Sequence, residues 1–144
     1  MIKQLTDAIS VALRDEFNVP IRKYGIYTGT VEQGLKTPAF LIRLLNPTNE
    51  REMNNRYKRS NQFAIQYHPK TGREEYGEVI ERLFLCLQNI KSLEGTTFEA
   101  SNMTAESQSD DALTFIVNYS YYIYVTEVVD VPMEDFEINQ TARS

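Results

Sequence analysis

An α+β fold, mainly an antiparallel β-sheet with two helices packed on one face, is predicted by three features of this 144-residue sequence. Two stretches carry apolar residues at three- and four-residue steps, as a helix with one buried stripe requires. Others alternate apolar and polar residues, as a half-buried strand requires. The order of these stretches is helix, three strands, helix, two strands, which suits an antiparallel sheet with its helices on one side. The alternation is longest from Asp111 to Val125, where Leu113, Phe115, Val117, Tyr119, Tyr121, Ile123 and Val125 share one face and mostly polar residues the other. At about 3.3 Å per residue such a strand runs roughly 45 Å, so part of it is expected to project past a single small core.

Ile2, Leu5, Ile9 and Leu13, with Ala8, Ala12 and Phe17 beside them, predict an opening amphipathic helix that ends before Pro20. Ile21 to Tyr27 is a short strand candidate, and Gly29 to Pro38 reads as a loop free to contact a neighbour. Phe40, Ile42 and Leu44 alternate with Leu41, Arg43 and Leu45, a strand covered on both faces. After the turn residues Asn46-Pro47-Thr48-Asn49, the returning strand of a hairpin is marked by Phe63, Ile65 and Tyr67. The far end of that hairpin, Glu50 to Arg59, holds Arg51, Arg56, Lys58 and Arg59 with little apolar content, which predicts either a solvated tip or a docking surface.

Thr71-Gly72-Arg73-Glu74 matches a capping box, and Tyr76, Val79, Ile80, Leu83, Phe84, Leu87 and Ile90 then give a helix face four turns long. Thr97 to Glu106 is assigned as an edge strand paired to the long one across a turn at Ser107 to Asp111. Beyond Val128 the pattern dissolves into Pro132 and acidic residues. Residues 1–128 are therefore read as one domain, and 129–144 as an acidic tail that orders only on a partner.

Few residues here suit catalysis. Cys86 is the only cysteine, so no intrachain disulfide is possible, and its place in a helical apolar pattern predicts a buried thiol. His68 is the only histidine, which excludes His-pair metal sites and Cys-His zinc sets. Gly29 and Gly34 have the spacing of a phosphate loop, but Leu35-Lys36-Thr37 follows in place of Lys-Ser/Thr. Asp130, Glu134, Asp135 and Glu137 lack the glycine turn and ligand order of a calcium loop. No cofactor or metal is expected, and no enzymatic activity. No apolar run is long enough to cross a bilayer and no leader pattern opens the chain, so cytoplasmic synthesis and residence are expected.

A net charge of −5 argues against nucleic acid as the main partner. Tyr122 and Tyr124 stand apart from the core-facing tyrosines, because they lie with Ile116 on the otherwise polar face of the long strand. Large aromatics there are either sheet–helix contacts or a subunit interface. An overlong strand, a basic tip, a loop and an acidic tail together favour an assembly protein over an enzyme. Its candidate interface residues are Arg51, Arg56, Lys58, Arg59, Ile116, Tyr122 and Tyr124.

The runs Gly34-Leu35-Lys36-Thr37-Pro38-Ala39-Phe40-Leu41-Ile42, Arg56-Tyr57-Lys58-Arg59 and Phe63-Ala64-Ile65-Gln66-Tyr67-His68-Pro69, with the helix and long strand that follow, resemble the small tail terminator proteins of phages and prophages of Gram-positive bacteria. The likeness extends to about Val128. It implies a structural virion protein at the head-proximal end of the tail, assembled in the host cytoplasm. Such a protein forms a homo-oligomeric ring, commonly of six subunits, that stops tube polymerisation and offers a head-joining surface. The implied partners are the tail tube protein and the head connector or neck protein, with a tail sheath protein as a further candidate; no membrane and no specific nucleic acid are implied. Another neck or tail-completion protein of a phage or phage-tail-like particle is the alternative.

Overall fold

A computed structural model of the chain describes residues 2–29 and 36–125. Helix α1 (Ile2–Phe17) is followed by β1 (Gly25–Thr28), β2 (Ala39–Leu44), β3 (Thr48–Arg51) and β4 (Arg56–His68). A 3-10 turn (Arg73–Glu75) leads into α2 (Tyr76–Leu87), and β5 (Asn89–Lys91), β6 (Thr97–Gln108) and β7 (Leu113–Tyr124) complete the described chain. The fold is α+β: two helices and one curled, mostly antiparallel sheet of seven strands. Strand order is β1-β2-β4-β7-β6-β5, and β3 pairs with β4 beyond the end of β2. Among the described strands, only β1 and β2 run parallel.

The apolar stripe of α1 is buried as its spacing predicts, through Leu5, Ala8, Ile9, Leu13 and Phe17. From α2, Tyr76, Val79, Leu83 and Leu87 join it over the alternate residues of β2, β4 and β7. Leu113, Phe115, Val117 and Tyr119 of β7 are all 0% exposed, so the predicted apolar list of the longest strand is the floor of the core. Burying each such side chain is worth about 1.5–3 kcal/mol. Phe17, Phe40, Tyr67 and Tyr76 run as an aromatic chain from α1 through the sheet to α2, with successive ring centroids 4.7, 4.9 and 6.3 Å apart. Arg82 ties the helices together. Its Nε donates to Glu16 Oε2 at 2.8 Å, and its guanidinium lies over the Phe17 ring at 4.3 Å.

Three local expectations are corrected, each for a reason visible in hydrogen bonding. The first strand starts at Gly25 rather than Ile21, because Asn18 Oδ1 accepts the N–H groups of Lys23 and Tyr24 and holds that connection as a loop. The capping box is displaced by one residue: the carboxylate of Glu75, not Glu74, accepts the N–H and hydroxyl of Thr71, and α2 begins after a 3-10 turn. The helix stops at Leu87, since Leu87 O accepts from Tyr119 Oη at 2.6 Å and Gln88 O from Ala100 N–H at 2.9 Å. Ile90 therefore belongs to β5, and Gly95, at φ +96, serves the β5–β6 turn, a backbone conformation that favours glycine. The stretch from Glu50 to Arg59 is exposed at its tip, as one of the two expectations has it, and is also ordered: Thr48–Arg51 forms β3, exposed throughout, and β4 begins at Arg56.

Candidate functional site

The long strand does outrun its core. β4 and β7 pair continuously from Tyr67↔Leu113 to Arg56↔Tyr124. Their outer neighbours change on the way: β2 leaves β4 at Phe63 and β3 takes its place, while the pairing of β6 with β7 ends at Ala100↔Tyr119. What extends beyond is an arm of three strands, β3, β4 and β7. The core-facing residues of β7 are fully buried as far as Tyr119, but Tyr121 and Ile123 are only half-buried. Ser120 to Tyr124, roughly 16 Å of strand, thus lies past the β6 ladder, with Tyr121 still packed on the core, its ring centroid 5.9 Å from that of Phe98. Among the described residues, the edge of that segment away from β4 has no ladder partner.

A four-residue turn, Glu52 to Asn55, closes the arm, with Asn54 at φ 62, a left-handed conformation that asparagine tolerates. Val125 N–H donates to Asn55 O at 2.8 Å, so β7 is held to the very tip. Arg56 is anchored twice: both its Nε and an outer nitrogen reach Glu52 Oε1, at 3.0 and 2.8 Å, and its guanidinium covers the Tyr122 ring at 4.6 Å. Arg59 Nε donates to Asn49 Oδ1 across β3. Lys58 and Arg51 make no ion pair among the described residues.

The strand register sorts the seven candidate interface residues. Lys58 sits opposite Tyr122 and Arg56 opposite Tyr124, which puts these four on one face of the arm, the face turned away from the helices. Tyr122 and Tyr124 are 48% and 68% exposed, so they are not sheet–helix contacts within this chain. Ile116 lies on the same sheet face but further in, between Ala64 and Thr104, and is 8% exposed. Arg59 and Arg51 fall on the opposite face, one strand step out of phase. Sequence reasoning missed two features here. Met53, 77% exposed at the turn, adds apolar surface to the tip. Ser60 and Ser120 pair across the strands at 3.0 Å, and Asn118 Nδ2 extends the link to Ser101 Oγ at 2.9 Å, a polar rail at the arm's root. Once β4 and β7 are aligned at Arg56↔Tyr124, the serine pair follows by counting.

Neither of the reactive residue types forms a catalytic arrangement. Burial pushes the Cys86 thiol up to about 12, leaving it protonated and inert at neutral pH. Its charged neighbours are Glu16 and Arg82, whereas His68 sits with Asp111 and Arg43 and is shifted down by burial. No group of His, Cys, Asp and Glu among the described residues could hold a metal ion, and no described helix is long and apolar enough to cross a membrane. The loop candidate at Gly29 to Pro38 falls largely, and the acidic tail at 129–144 entirely, outside the described residues.

Comparison with known proteins supplies the assignment. No curated protein sequence matches the chain. Among the solved structures that the chain resembles, one shares 10% identity with a TM-score of 0.41, covering 85% of this chain and 96% of its own. A family described as "Phage tail terminator protein" matches residues 4–131, nearly the whole described fold. The chain therefore belongs to the phage tail terminator family, and is a structural protein of the virion tail.

Proposed function

We propose that copies of this chain close into a ring, of six subunits by the resemblance, on the head-proximal end of the tail tube. The ring stops tube polymerisation and gives the head connector or neck protein its joining surface. The observation that carries this reading is the arm: five residue pairs beyond the end of the β6 ladder, bearing two exposed tyrosines and, over its two faces, four cations, in a chain of the terminator family. A strand with one unpaired edge and half-exposed aromatics is stabilised by sharing that surface with another chain. A ring needs two different surfaces that fit each other, and termination needs one ring face that matches the last tube ring and another that refuses further tube subunits.

Arg56, Lys58, Tyr122 and Tyr124 are assigned to the contact between copies. Arg51 and Arg59, on the other face, are assigned to the tube or neck partner, and Ile116 to the rigid sheet behind the arm. A contractile tail would add a sheath protein as partner. The test is mass determination in solution, with the chain alone and with its tube protein. A closed oligomer in either condition is expected; a chain that remains monomeric in both would overturn the reading.

A further inference from the structure

The open face of the arm is balanced in charge, because Glu50 lies beside Lys58 and Glu52 holds Arg56. What the arm leaves unsatisfied is backbone, at its two edges. Opposed residues on antiparallel strands alternate between pairs that exchange backbone hydrogen bonds and pairs that do not. Glu52 N–H donates to Arg56 O at 2.7 Å, so Glu50 and Glu52 turn their backbone groups to β4, while Asn49 and Arg51 turn theirs away. On β7, Val125 N–H donates to Asn55 O, so Tyr121 and Ile123 face β4 and the N–H and C=O groups of Tyr122 and Tyr124 face outward. Asn118 O, on the same outward edge of β7, accepts from Ser101 Oγ of β6, as this alternation requires. Among the described residues, the outward groups of Asn49, Arg51, Tyr122 and Tyr124 have no backbone partner. The two open edges span the same stretch. Glu50 and Tyr122 both pair with Lys58, and Arg51 and Ile123 both pair with Tyr57. They also run in one direction, since β3 and β7 are each antiparallel to β4.

We propose that the β3 edge of one copy adds in parallel to the β7 edge of the next, so that the arms of the ring form one continuous sheet. This contact rests on the ring reading and is the one that joins successive copies. Rotation about a ring axis keeps the sense of every strand along that axis, so strands that run alike within a copy meet in parallel between copies. In a parallel ladder, one residue bonds to both neighbours of the residue opposite it. With Tyr122 opposite Glu50, Tyr122 N–H donates to Asn49 O, Arg51 N–H donates to Tyr122 O, and Tyr124 N–H donates to Arg51 O. The same register keeps side chains on their own faces, with Glu50 beside Tyr122 and Arg51 beside Ile123. A second copy is therefore an occupant that matches each edge in span, direction and face. Because β3 offers one edge and β7 a different one, the contact is head-to-tail, and closing the ring leaves no edge of the arm open. Pairing β7 with β7 would instead be two-fold and antiparallel, would stop at two copies and would leave β3 bare.

The test uses the full chain, alone or with its tube protein. Residue-resolved amide exchange is expected to show the N–H groups of Arg51, Tyr122 and Tyr124 exchanging freely in the dilute monomer and slowed by about tenfold or more in the oligomer. Those of Tyr121 and Ile123, bonded to β4, should be slow in both. Arg51→Pro removes a donor that makes no bond within the chain, so it should keep the thermal midpoint and weaken self-association about tenfold. Arg51→Ala, which keeps the N–H, should self-associate as the unmodified chain does. Copies carrying Arg51→Cys, mixed with copies carrying Ile123→Cys, should form a disulfide-linked dimer on mild oxidation, because these positions face each other across the joint; neither variant should do so by itself. Edge amides already slow in the monomer, protection of one edge only, no mixed dimer, a dimer from either variant by itself, or an Arg51→Pro chain that associates unchanged would overturn the proposal, and in each case the ring itself stands. An unmodified chain that never oligomerises, alone or with tube protein, removes both.

Discussion

At the scale of single residues, the fold depends on a few polar groups that sit where apolar pattern alone would not place them. Tyr119 is on the core-facing list of β7, yet its hydroxyl supplies the donor for Leu87 O at the end of α2. Tyr119→Phe leaves that carbonyl unpaired in the core and should cost about 1–2 kcal/mol in denaturant unfolding while leaving the oligomer unchanged. Tyr121 is the converse case, since its Oη is buried without a partner among the described residues. Removing an unpaired hydroxyl is neutral or stabilising, so Tyr121→Phe should not lower the unfolding midpoint. Glu75 gives the chain its acid response. Partial burial pushes its carboxyl up, but hydrogen bonds from Thr71, Tyr67 and Lys70 outweigh this and hold it at about 2, below the ordinary 4.5. A carboxyl lowered on folding contributes stability that is fully present above 4.5 and disappears as pH falls toward 2. Glu75→Gln should therefore cost about 1–3 kcal/mol at neutral pH and flatten the dependence of stability on pH across that window, as read from thermal unfolding at successive pH values.

Among the elements, those that were legible in the sequence are the ones whose apolar period runs long. Helix α1 has a stripe from Leu5 to Phe17, and β7 alternates without a break, so each was assigned with nearly its observed bounds. β3 and β5 were not legible for a common reason. Thr48–Arg51 is exposed at every position and Asn89–Lys91 buries only Ile90, so neither carries an alternation to read, and both exist because a longer strand offers them a ladder. The arm follows from the same fact. The excess length of β7 could be counted from its residues, whereas the extension of β4 to match it, across a run as polar as Arg56 to Asn61, could not. Tyr122 and Tyr124 are exposed, so Tyr122→Ala with Tyr124→Ala should change monomer stability by only about 0.5 kcal/mol or less while abolishing the closed oligomer. Equilibrium unfolding and solution mass on the same sample would check both halves. A destabilised chain that still assembles would mean that the rings support the arm rather than join copies.

Across the whole molecule, the division is between a body made rigid by two helices over a curled sheet and an arm that leaves it in the direction β7 already points. That division suits termination. The body fixes the orientation of the arm because β4 and β7 pass uninterrupted from core to tip, so in the proposed ring each subunit would present its arm at a set angle to the next. On the proposed reading, polymerisation stops when the last ring exposes a surface on which tube protein cannot nucleate, and a missing terminator removes that stop. Particles assembled without this protein should therefore carry tubes that are overlong or of irregular length in electron micrographs, and should lack heads. Normal-length tails without heads would instead assign the chain to joining rather than to stopping. The Tyr122→Ala, Tyr124→Ala variant makes the distinction sharper. Its body is expected to stay folded while the proposed ring contact is lost, so overlong tubes in its presence would trace length control to ring closure through the arm rather than to the mere presence of the subunit.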